Sequence, residues 1–436
     1  MAANKKILLA FYGDDFTGST DALEFICRAG AKAILFIEPP TAEQLKQYPD
    51  LDAYGVAGKT RSLPPDEMGK ILLPAFEQMK TTGAKHVHYK VCSTFDSSPT
   101  IGSIGKAIDC GEIVFKNKTI PVLGGMPALG RFCVFGNLFA KMGTGGEGEI
   151  YRLDRHPSMS KHPVTPADES DLRLHLGKQT DKQIGLIDVI DLKKPVEEIY
   201  KDEEVVLIDV LNEQHLLKIG EWLETKAKDQ VQFSVGSSGI ELALGKYWNE
   251  KTLLKKRIEW PEIDKANPLL VLSGSCSPVT KKQIAYALSQ GFVEIPLGMK
   301  TFEGEHGQGF SFEGNFEEIL LALRQNQSVI VHTGNIQQIE QSSSAYILGT
   351  TLGRIAKEVC KQIKLKRLVM AGGDTSSYAA RAMEIEAVEM IAPIVIGAPL
   401  CKAISKNEFI NGLEVNFKGG QVGSENYFEV LLNGSG

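Results

Sequence analysis

The sequence predicts an α/β protein of two domains, each built on a mostly parallel sheet flanked by helices. Short apolar strands run repeatedly into glycine-, serine- or aspartate-rich turns and then into helical patterns. The clearest examples are the segments 7–12, 231–235, 269–272 and 367–371. In such sheets ligands bind beyond the carboxyl ends of the strands. The turns after these strands are therefore the first candidates for a functional site.

Length and a change in composition support two domains. The chain has 436 residues, more than one hydrophobic core usually supports. The segment 248–267 is charged and its end is rich in proline, which is typical of a join between domains. The sequence therefore predicts an N-terminal domain over residues 1–250 and a C-terminal domain over residues 266–436. The run Gly143–Gly148 is too glycine-rich for a regular element and predicts a mobile loop.

Composition excludes several classes of protein. The chain is 43% hydrophobic and 23% charged with a net charge of −6, so it lacks the basic footprint of nucleic-acid or anionic-membrane binding. No stretch reaches the roughly 18 consecutive apolar residues of a membrane span. The first apolar run stops at Asp14 and Asp15, which is wrong for a signal peptide. Seven widely spaced cysteines without a C-x-x-C pair predict reduced thiols in the cytoplasm.

Two adjacent carboxylates, Asp14 and Asp15, stand at the end of the first predicted strand. Such a pair repels and is costly to desolvate, so a purely structural core would avoid it. Amides and hydroxyls at the start of the next helix could hold one carboxylate ionised, and the other could accept a proton from a substrate hydroxyl. The alternative is helix capping, for which aspartate is well suited. We interpret the pair as catalytic.

Three glycine-rich turns follow strands in the C-terminal half. They span Ser273–Thr280, Gly372–Ser377 and Lys418–Gly423. Small residues let the backbone approach a phosphate closely, and a helix N-terminus supplies free N–H groups. None of these turns has the order of a Walker A loop. Together they predict a nucleotide phosphate site, although glycine also serves simply to end a strand tightly.

A few further polar residues are candidates for substrate contacts. Lys90 and Arg131 could bind a carboxylate, with a solvated surface charge as the competing interpretation. His156 lies in a turn-rich segment, 154–160, which suits a substrate contact without requiring one.

The stretch Gly13–Asp21 resembles the signature A-D-D-F-T-G-A-T-D of the four-carbon acid sugar kinases. That family includes 3-oxo-tetronate, threonate and erythronate kinases and was long catalogued as a domain of unknown function. Ser273–Thr280 is similar to its G-S-x-S-x-x-T turn, Gly372–Thr375 to its G-G-[DE]-T turn, and Lys418–Gly423 to its K-x-G-x-x-G turn. The order and spacing of the motifs agree, so the resemblance covers nearly the whole chain.

The resemblance implies an N-terminal sugar-acid domain and a C-terminal ATP domain, with the active site in the interdomain cleft. It implies ATP with Mg²⁺ as cofactors and catalytic roles for Asp14 and Asp15. Substrate would contact Lys90 and Arg131 as well. The implied nucleotide-binding residues are Ser275, Ser277, Gly372, Gly373, Asp374, Thr375 and Gly420.

One segment departs from the family pattern. Many members carry K-x-D-S-T-x-R-G-N where this chain has the run 90–98. Lys90, Ser93 and Thr94 are retained, and Ser93 is kept as a substrate-binding candidate; the aspartate is replaced by Cys92 and the arginine by Asp96. An anion in place of a bidentate cation changes what can bind there. The sequence therefore predicts a substrate other than the commonest one, such as the branched acid 3-oxo-isoapionate used by a related kinase.

The function predicted from the sequence is transfer of the ATP γ-phosphoryl group to a hydroxyl of a small sugar acid, of the 3-oxo-tetronate, tetronate or 3-oxo-isoapionate type. Asp15 or Asp14 would orient or deprotonate the hydroxyl, and Mg²⁺ would bridge the phosphates. A haloacid-type phosphatase is an alternative, but its D-x-D-x-[TV] motif is missing. A catalytically silent sugar-acid sensor is another. Neither nucleic acid nor membrane is an expected partner, and a homo-oligomer is left open.

Overall fold

The structure is a computed structural model that describes residues 6–142, 148–162, 164–275, 277–297, 313–333 and 341–434. Within helices, the side chains of residues 313, 314, 341–345 and 374 also lie outside this description. The predicted loop Gly143–Gly148 lies outside the described residues except for its last glycine. The chain divides into two compact units, Met1–Ile258 and Glu259–Gly436. No described helix combines the length and apolar character needed to cross a membrane.

The first unit is built on a sheet of eight parallel strands. Their apolar runs are buried on both faces, as parallel strands between helices require. The strands, in chain order, are β1 (Leu9–Gly13), β2 (Ala33–Phe36), β3 (Ala53–Ala57), β4 (His86–Lys90), β5 (Ile120–Leu123), β9 (Ile184–Ile187), β10 (Val205–Ile208) and β11 (Gln232–Gly236). In space their order is β2-β3-β1-β4-β11-β5-β10-β9.

A small antiparallel sheet follows β5 in the first unit. It consists of β6 (Arg131–Val134), β7 (Asn137–Lys141) and β8 (Ile150–Arg152) in that order. The helices of this unit pack on the large sheet, and the aromatic ring of Phe76 meets those of Tyr89 and Phe233 in the core. The helices are α1 (Phe16–Arg28), α2 (Ala42–Lys46), α3 (Pro65–Thr81), α4 (Ile104–Phe115), α5 (Leu172–Gly177), α6 (Glu213–Lys226) and α7 (Gly239–Glu250).

The second unit has a mixed sheet with a parallel core. Its strands are β12 (Leu270–Ser273), β13 (Val293–Pro296), β14 (Val329–His332), β15 (Arg367–Ala371), β16 (Ala387–Val395), β17 (Ala398–Ile404) and β18 (Glu414–Lys418). Their order is β13-β14-β12-β15-β18-β17-β16, with β16 and β17 antiparallel to their neighbours in this unit. The helices are α8 (Pro278–Ser289), α9 (Glu313–Arg324), α10 (Gln341–Gln362), α11 (Gly373–Ala382) and α12 (Tyr427–Asn433).

Both units share one strand order at their centres. In each, the first strand lies between the third and the fourth, and the second strand lies outside the third: β2-β3-β1-β4 and β13-β14-β12-β15. The direction of the chain therefore reverses beside β1 and beside β12, and such switch points are where ligands bind in parallel sheets. The mostly parallel sheets with flanking helices confirm the predicted α/β class.

The segment 248–267, predicted as the join between domains, begins inside the last helix of the first unit. Trp248 lies inside α7, is fully buried, and its indole N–H donates to Glu224 Oε1 at 2.7 Å. Further on, the backbone N–H of Arg257 donates to the carbonyl of Arg28 at 3.0 Å. The charged composition of this segment hid the fact that its first residues belong to the core of the first unit.

Candidate functional site

The two adjacent aspartates lie at the switch point of the first unit. Asp14 directly follows β1, and its backbone N–H donates to the carbonyl of Lys90 at the end of β4, at 2.8 Å. Asp15 is the N-cap of α1: its Oδ1 accepts from the N–H of Gly18 at 2.7 Å and its Oδ2 from the hydroxyl of Thr17 at 2.8 Å. Both carboxylates are buried. The capping alternative therefore holds for Asp15 and leaves Asp14 without a capping role.

One arginine contacts both carboxylates. Arg61 lies in the 3₁₀ turn Thr60–Ser62, which follows β3, the strand beside β1. Its Nε and Nη2 donate to the two oxygens of Asp14 at 3.0 and 2.7 Å, and its Nη1 and Nη2 donate to the two oxygens of Asp15 at 2.7 and 2.9 Å. This double bidentate contact offsets the repulsion that would otherwise separate two neighbouring carboxylates.

The electrostatics distinguish Asp14 as a group that can take up a proton. Burial raises the pKa of Asp14, and the charge of Asp15 raises it further, against the opposing effect of Arg61. For Arg61 itself burial lowers the pKa, but the carboxylates of Asp14 and Asp15 outweigh burial and raise it well above its usual value. Arg61 therefore stays charged, and Asp14 is more basic than an ordinary aspartate.

A buried ion pair lies close to the aspartates. The ammonium of Lys90 is 3.4 Å from Asp21 Oδ2 and donates to the carbonyl of Val91 at 2.9 Å. Asp21 Oδ2 also accepts from the hydroxyl of Ser238 at 2.6 Å. Burial lowers the pKa of Lys90, but Asp21 and Asp14 outweigh it, so the net shift is upward. Lys90 is thus a fixed internal cation, within electrostatic reach of Asp14.

The loop after β4 has an unusual backbone. Phe95 is buried and has a φ of +54°, a conformation that a bulky residue rarely adopts. Its neighbours form a short chain in which Thr94 Oγ1 donates to Asp96 Oδ1 at 2.7 Å and lies 3.1 Å from the sulfur of Cys92. Burial, followed by the charge of Asp96, raises the pKa of the Cys92 thiol to about 11, so it stays protonated. Ser93 is half-buried in the same loop.

Arg131 is a buried cation with no carboxylate bonded to it in the described part of the chain. It begins β6, and its Nη1 donates to the carbonyls of Leu129 and Lys141 at 2.7 and 3.1 Å. Its Nε is buried without a hydrogen-bond partner among the described residues. Burial lowers the pKa of Arg131, while the charges of Asp96 and Asp21 act in the opposite direction. Arg131 therefore lies within electrostatic reach of the loop after β4.

His156 adjoins Arg131. Its Nδ1 accepts from the backbone N–H of Ser158 at 3.2 Å and of Met159 at 3.3 Å. Burial lowers the pKa of His156, and the charge of Arg131 lowers it further, against a hydrogen bond with the backbone of Lys141. His156 is therefore a neutral histidine with Nδ1 as the acceptor.

The turns of the second unit meet at its switch point. Ser277 is the N-cap of α8: its hydroxyl accepts from the N–H of Thr280 at 3.0 Å and donates to the carbonyl of Gly420 at 2.5 Å. The hydroxyl of Thr280 contacts Ser275 Oγ at 3.1 Å. A Cβ on Gly420 would lie 3.2 Å from Ser275 Oγ, so this turn needs glycine to approach the first one.

The glycine turn after β15 completes the group. Gly372 has a φ of +130°, which favours glycine, and a Cβ there would lie 3.1 Å from Thr375 Oγ1 and 3.4 Å from the backbone nitrogen of Ser275. A Cβ on Gly274 would lie 2.4 Å from Thr375 Oγ1. Gly373 is the first residue of α11, whose N-cap is Gly372. The side chain of Asp374, another predicted contact, lies outside the described residues.

The structure brings Asp14 and Asp15 together in the first unit, with Lys90 nearby, and Ser275, Ser277, Gly372, Thr375 and Gly420 together in the second. Two residues that the sequence did not single out, Arg61 and Lys418, lie beside them. Arg61 escaped notice although it follows an apolar strand, β3, in the same strand-then-turn pattern as the aspartates. Lys418 was part of a recognised turn, but only Gly420 was selected from it. Lys418 ends β18, is fully buried, and donates from Nζ to Thr280 Oγ1 and to the carbonyl of Gly419, each at 3.0 Å.

An acidic site in one α/β unit and a cradle of amides, hydroxyls and a lysine in the other are the features of a phosphotransferase with separate acceptor and nucleotide sites. Two family profiles match: a sugar-binding N-terminal domain over residues 9–244 and a nucleotide-binding C-terminal domain over residues 270–428. The chain belongs to the family that these two domains define. The resemblance to the four-carbon acid sugar kinases is thereby confirmed.

Curated relatives are kinases of small sugar acids. The chain is 37% identical to a 3-oxo-isoapionate kinase of Paraburkholderia graminis, over 98% of this chain and 94% of that protein. It is 27% identical to a 3-oxo-tetronate kinase of Pectobacterium atrosepticum, over 97% of this chain and 98% of that protein.

Solved structures share the fold along the whole chain. A protein from Salmonella typhimurium LT2 matches with a TM-score of 0.74 and 24% identity over 98% of both chains. A Haemophilus influenzae protein of the family DUF1537 matches with a TM-score of 0.67 and 22% identity, over 96% of this chain and 98% of that one. These likenesses concern the fold alone.

Proposed function

We propose that the protein is an ATP-dependent kinase that phosphorylates a hydroxyl of a small sugar acid of the 3-oxo-isoapionate type. The observation that carries this proposal is Asp14, a buried carboxylate with a raised pKa at the switch point of the first unit, bonded through its side chain to Arg61. A carboxylate fixed in this way has the position and basicity to take a proton from a bound hydroxyl.

In the proposed reaction the substrate hydroxyl loses its proton to Asp14 as its oxygen bonds to the γ-phosphorus of ATP. The bond between the γ-phosphorus and the β–γ bridging oxygen breaks, and ADP leaves. Arg61 keeps Asp14 in one orientation through two hydrogen bonds. Asp15 fixes Arg61 and the start of α1 together. Phosphoryl transfer depends mostly on such positioning and on charge stabilisation.

Arg131 is the proposed partner of the substrate carboxylate. A buried guanidinium whose Nε has no described partner gains a strong hydrogen bond when an anion arrives. Lys90 is already paired with Asp21, so we propose that it contributes a fixed positive charge to the site and does not bind the substrate carboxylate itself. We propose that the neutral ring of His156 and the hydroxyl of Ser93 form hydrogen bonds with substrate hydroxyls.

The nucleotide is proposed to bind at the three turns of the second unit, with Ser275, Ser277, Gly372, Gly373, Thr375 and Gly420 around its phosphates. In the described part of the chain no group of three or more His, Cys, Asp or Glu side chains could hold a metal ion. Mg²⁺ is typically held by phosphate oxygens and water rather than by an all-protein cage, so the nucleotide itself would supply most of its ligands. Bound Mg²⁺ would offset phosphate charge.

The substrate class rests on the departures from the family pattern and on the relatives. Asp96 places an anion, bonded to Thr94, in the loop after β4. The higher identity, 37% against 27%, is to the 3-oxo-isoapionate kinase rather than to a 3-oxo-tetronate kinase. A branched acid with a further hydroxyl could donate to Asp96. We also propose a cytoplasmic location, because the six described cysteines are free thiols.

A panel of four- to six-carbon sugar acids, assayed for ADP release by a coupled reaction, tests the proposal. We expect turnover with 3-oxo-isoapionate to exceed turnover with 3-oxo-tetronate, and Asp14→Asn to abolish most of it. Asp109→Asn is the matched control, because Asp109 is another partly buried carboxylate with a raised pKa, bonded to Thr180. Phosphate release without ATP would indicate a phosphatase, and binding without turnover a sensor; either result would refute the kinase.

A further inference from the structure

Lys418 is an unusual cation in the second unit. Its side chain is fully buried at the end of β18, and its ammonium donates to Thr280 Oγ1 and to the carbonyl of Gly419, each at 3.0 Å. The ring of Tyr427 lies under the ammonium, with 5.5 Å between Nζ and the ring centroid. These partners are a hydroxyl, a carbonyl and a ring face, none of which carries a full negative charge.

A buried ammonium without a counter-ion is costly, so its presence calls for an explanation. Among the described residues no carboxylate forms an ion pair with Lys418, and burial alone lowers its pKa to about 7. On α8 and α12 the described contacts of the ammonium are Thr280 and the ring of Tyr427. The hydroxyl of Tyr427 is occupied in donating to Asn416 Oδ1 at 2.8 Å. Among the side chains that the structure describes, which leave out Asp374 of α11, no charged group compensates the ammonium.

A chain of hydrogen bonds leads from Lys418 through two hydroxyls to the turns. Because Thr280 Oγ1 accepts from the ammonium, its own proton can be donated to Ser275 Oγ at 3.1 Å, which is the shorter contact, or to the carbonyl of Gly420 at 3.3 Å. Ser275 Oγ in turn accepts from the backbone N–H of Ser277 at 3.4 Å. Since Ser275 accepts from both neighbours, its own proton is available to an outside acceptor. The relay from Lys418 through Thr280 to Ser275 thus presents a donor at the place where three glycine turns meet.

We propose that Lys418 is a positioning residue that supplies the missing positive charge for the ATP phosphates, acting through Thr280 and Ser275. This inference rests on the proposed function and assigns the source of charge at that same site. An anion at the turns would supply the counter-charge that the ammonium lacks. The protein would then take up a proton at Lys418 when nucleotide binds near neutral pH.

Nucleotide affinity should therefore depend on pH in a defined direction. In the free protein Lys418 loses its proton as pH rises through about 7, and in the complex it keeps the proton to higher pH. Affinity should fall by up to about tenfold per pH unit between pH 7.5 and 9. Phosphate groups, with a second pKa of about 6, are already ionised in this range, so their own titration contributes little.

Calorimetry with a non-hydrolysable ATP analogue and Mg²⁺ tests this in the full chain. Titrations at pH 7.5, 8.25 and 9, in buffers of different ionisation enthalpy, give both affinity and proton uptake. We expect uptake approaching one proton per nucleotide at pH 8.25 and above. This uptake should decline again only when the pH exceeds the pKa of Lys418 in the complex. Lys418→Met should lose the uptake and bind at least tenfold more weakly at pH 7.5. Lys402→Met is the matched control, because Lys402 is an exposed lysine on the neighbouring strand β17.

Lys418→Arg provides a second measurement if the methionine variant fails to fold, because a guanidinium stays charged throughout this range. Its affinity should be nearly constant between pH 7.5 and 9. Wild-type affinity that is equally constant, or Lys418→Met binding as tightly as Lys402→Met, would overturn the inference while leaving the kinase intact. Absence of nucleotide binding by the wild type at every pH would overturn the proposed function as well.

Discussion

At the scale of single residues, Asp14 and Asp15 are neighbours in sequence with different surroundings. Asp15 accepts from Gly18 and Thr17 and so stabilises the start of α1 in addition to binding Arg61. The carboxylate of Asp14 has Arg61 as its hydrogen-bond partner and a pKa that burial raises. The same residue type thus caps a helix at position 15 and is the proposed proton acceptor at position 14.

Replacing each aspartate by asparagine should separate these roles. Asp14→Asn should lower kcat by about 10²–10⁴-fold, the usual contribution of a positioned base. Asp15→Asn should lower it less, since asparagine is also a good N-cap. Because protonation removes a base, wild-type kcat/KM should fall as pH drops through the raised pKa of Asp14. Steady-state kinetics from pH 4 to 8 measure both effects, and equal losses in the two variants would contradict the assignment.

Arg131 offers a test of carboxylate recognition. Arg131→Lys keeps the charge but loses the fork of donors, so KM for the sugar acid should rise about 10- to 100-fold, equivalent to a charged hydrogen bond of about 1.5–3 kcal/mol. KM for ATP should stay unchanged. Arg173→Lys is a suitable control, because Arg173 makes its bidentate contact with Asp171 nearer the surface. An unchanged sugar-acid KM in Arg131→Lys would place the substrate carboxylate elsewhere.

The sequence predicts candidate site residues most readily where they are consecutive. The run Gly13–Asp21 and the turns at Ser273 and Gly372 could be read directly, because strand-end turns with small residues have a recognisable pattern. Arg61 could not, since its contact with Asp14 spans 47 positions and depends on β3 lying beside β1. Burial is equally invisible, and so Lys418 was passed over in favour of the glycine two residues later.

At the scale of elements, the backbone conformation of the turn after β15 predicts how a glycine substitution there will affect nucleotide affinity. Gly372→Ala adds a Cβ at a φ of +130° and 3.4 Å from the backbone nitrogen of Ser275. Nucleotide affinity should fall at least tenfold, because alanine is strained at this φ and its Cβ would crowd Thr375 Oγ1 at 3.1 Å, while binding of the sugar acid to the first unit persists. Calorimetry with each ligand separately gives the two affinities.

The control for this variant is Gly412→Ala. Gly412 also has a positive φ, +85°, but a Cβ there meets nothing within 4 Å. Both variants therefore carry backbone strain, and only the first also crowds the turns. Equal nucleotide affinities in the two variants would show that strain alone was measured and that the turn after β15 does not approach the phosphates.

At the scale of the whole molecule, each unit has its own sheet and core, so the units should fold independently. We expect residues 1–258 to be soluble and to bind the sugar acid weakly. Ending the chain at Tyr247 removes Trp248, whose buried indole bonds to Glu224. That truncation should cost about 3–5 kcal/mol, the usual loss for a buried large aromatic side chain. Urea unfolding of the two fragments gives the difference, and equal stabilities would contradict the boundary.

The strand order shared by the two units has a consequence for how such a protein can diversify. The turn after the first strand is an equivalent position in the two units. It contains Asp14 and Asp15 in the first unit and Ser275 in the second. Duplication of the gene segment for one ancestral unit would produce two units that share a strand order in this way. The sequence of each unit can then change independently of the other. Under the proposed function, exchanges such as Cys92 and Asp96 would change the choice of acid in the first unit and leave nucleotide binding by the second unit unaltered.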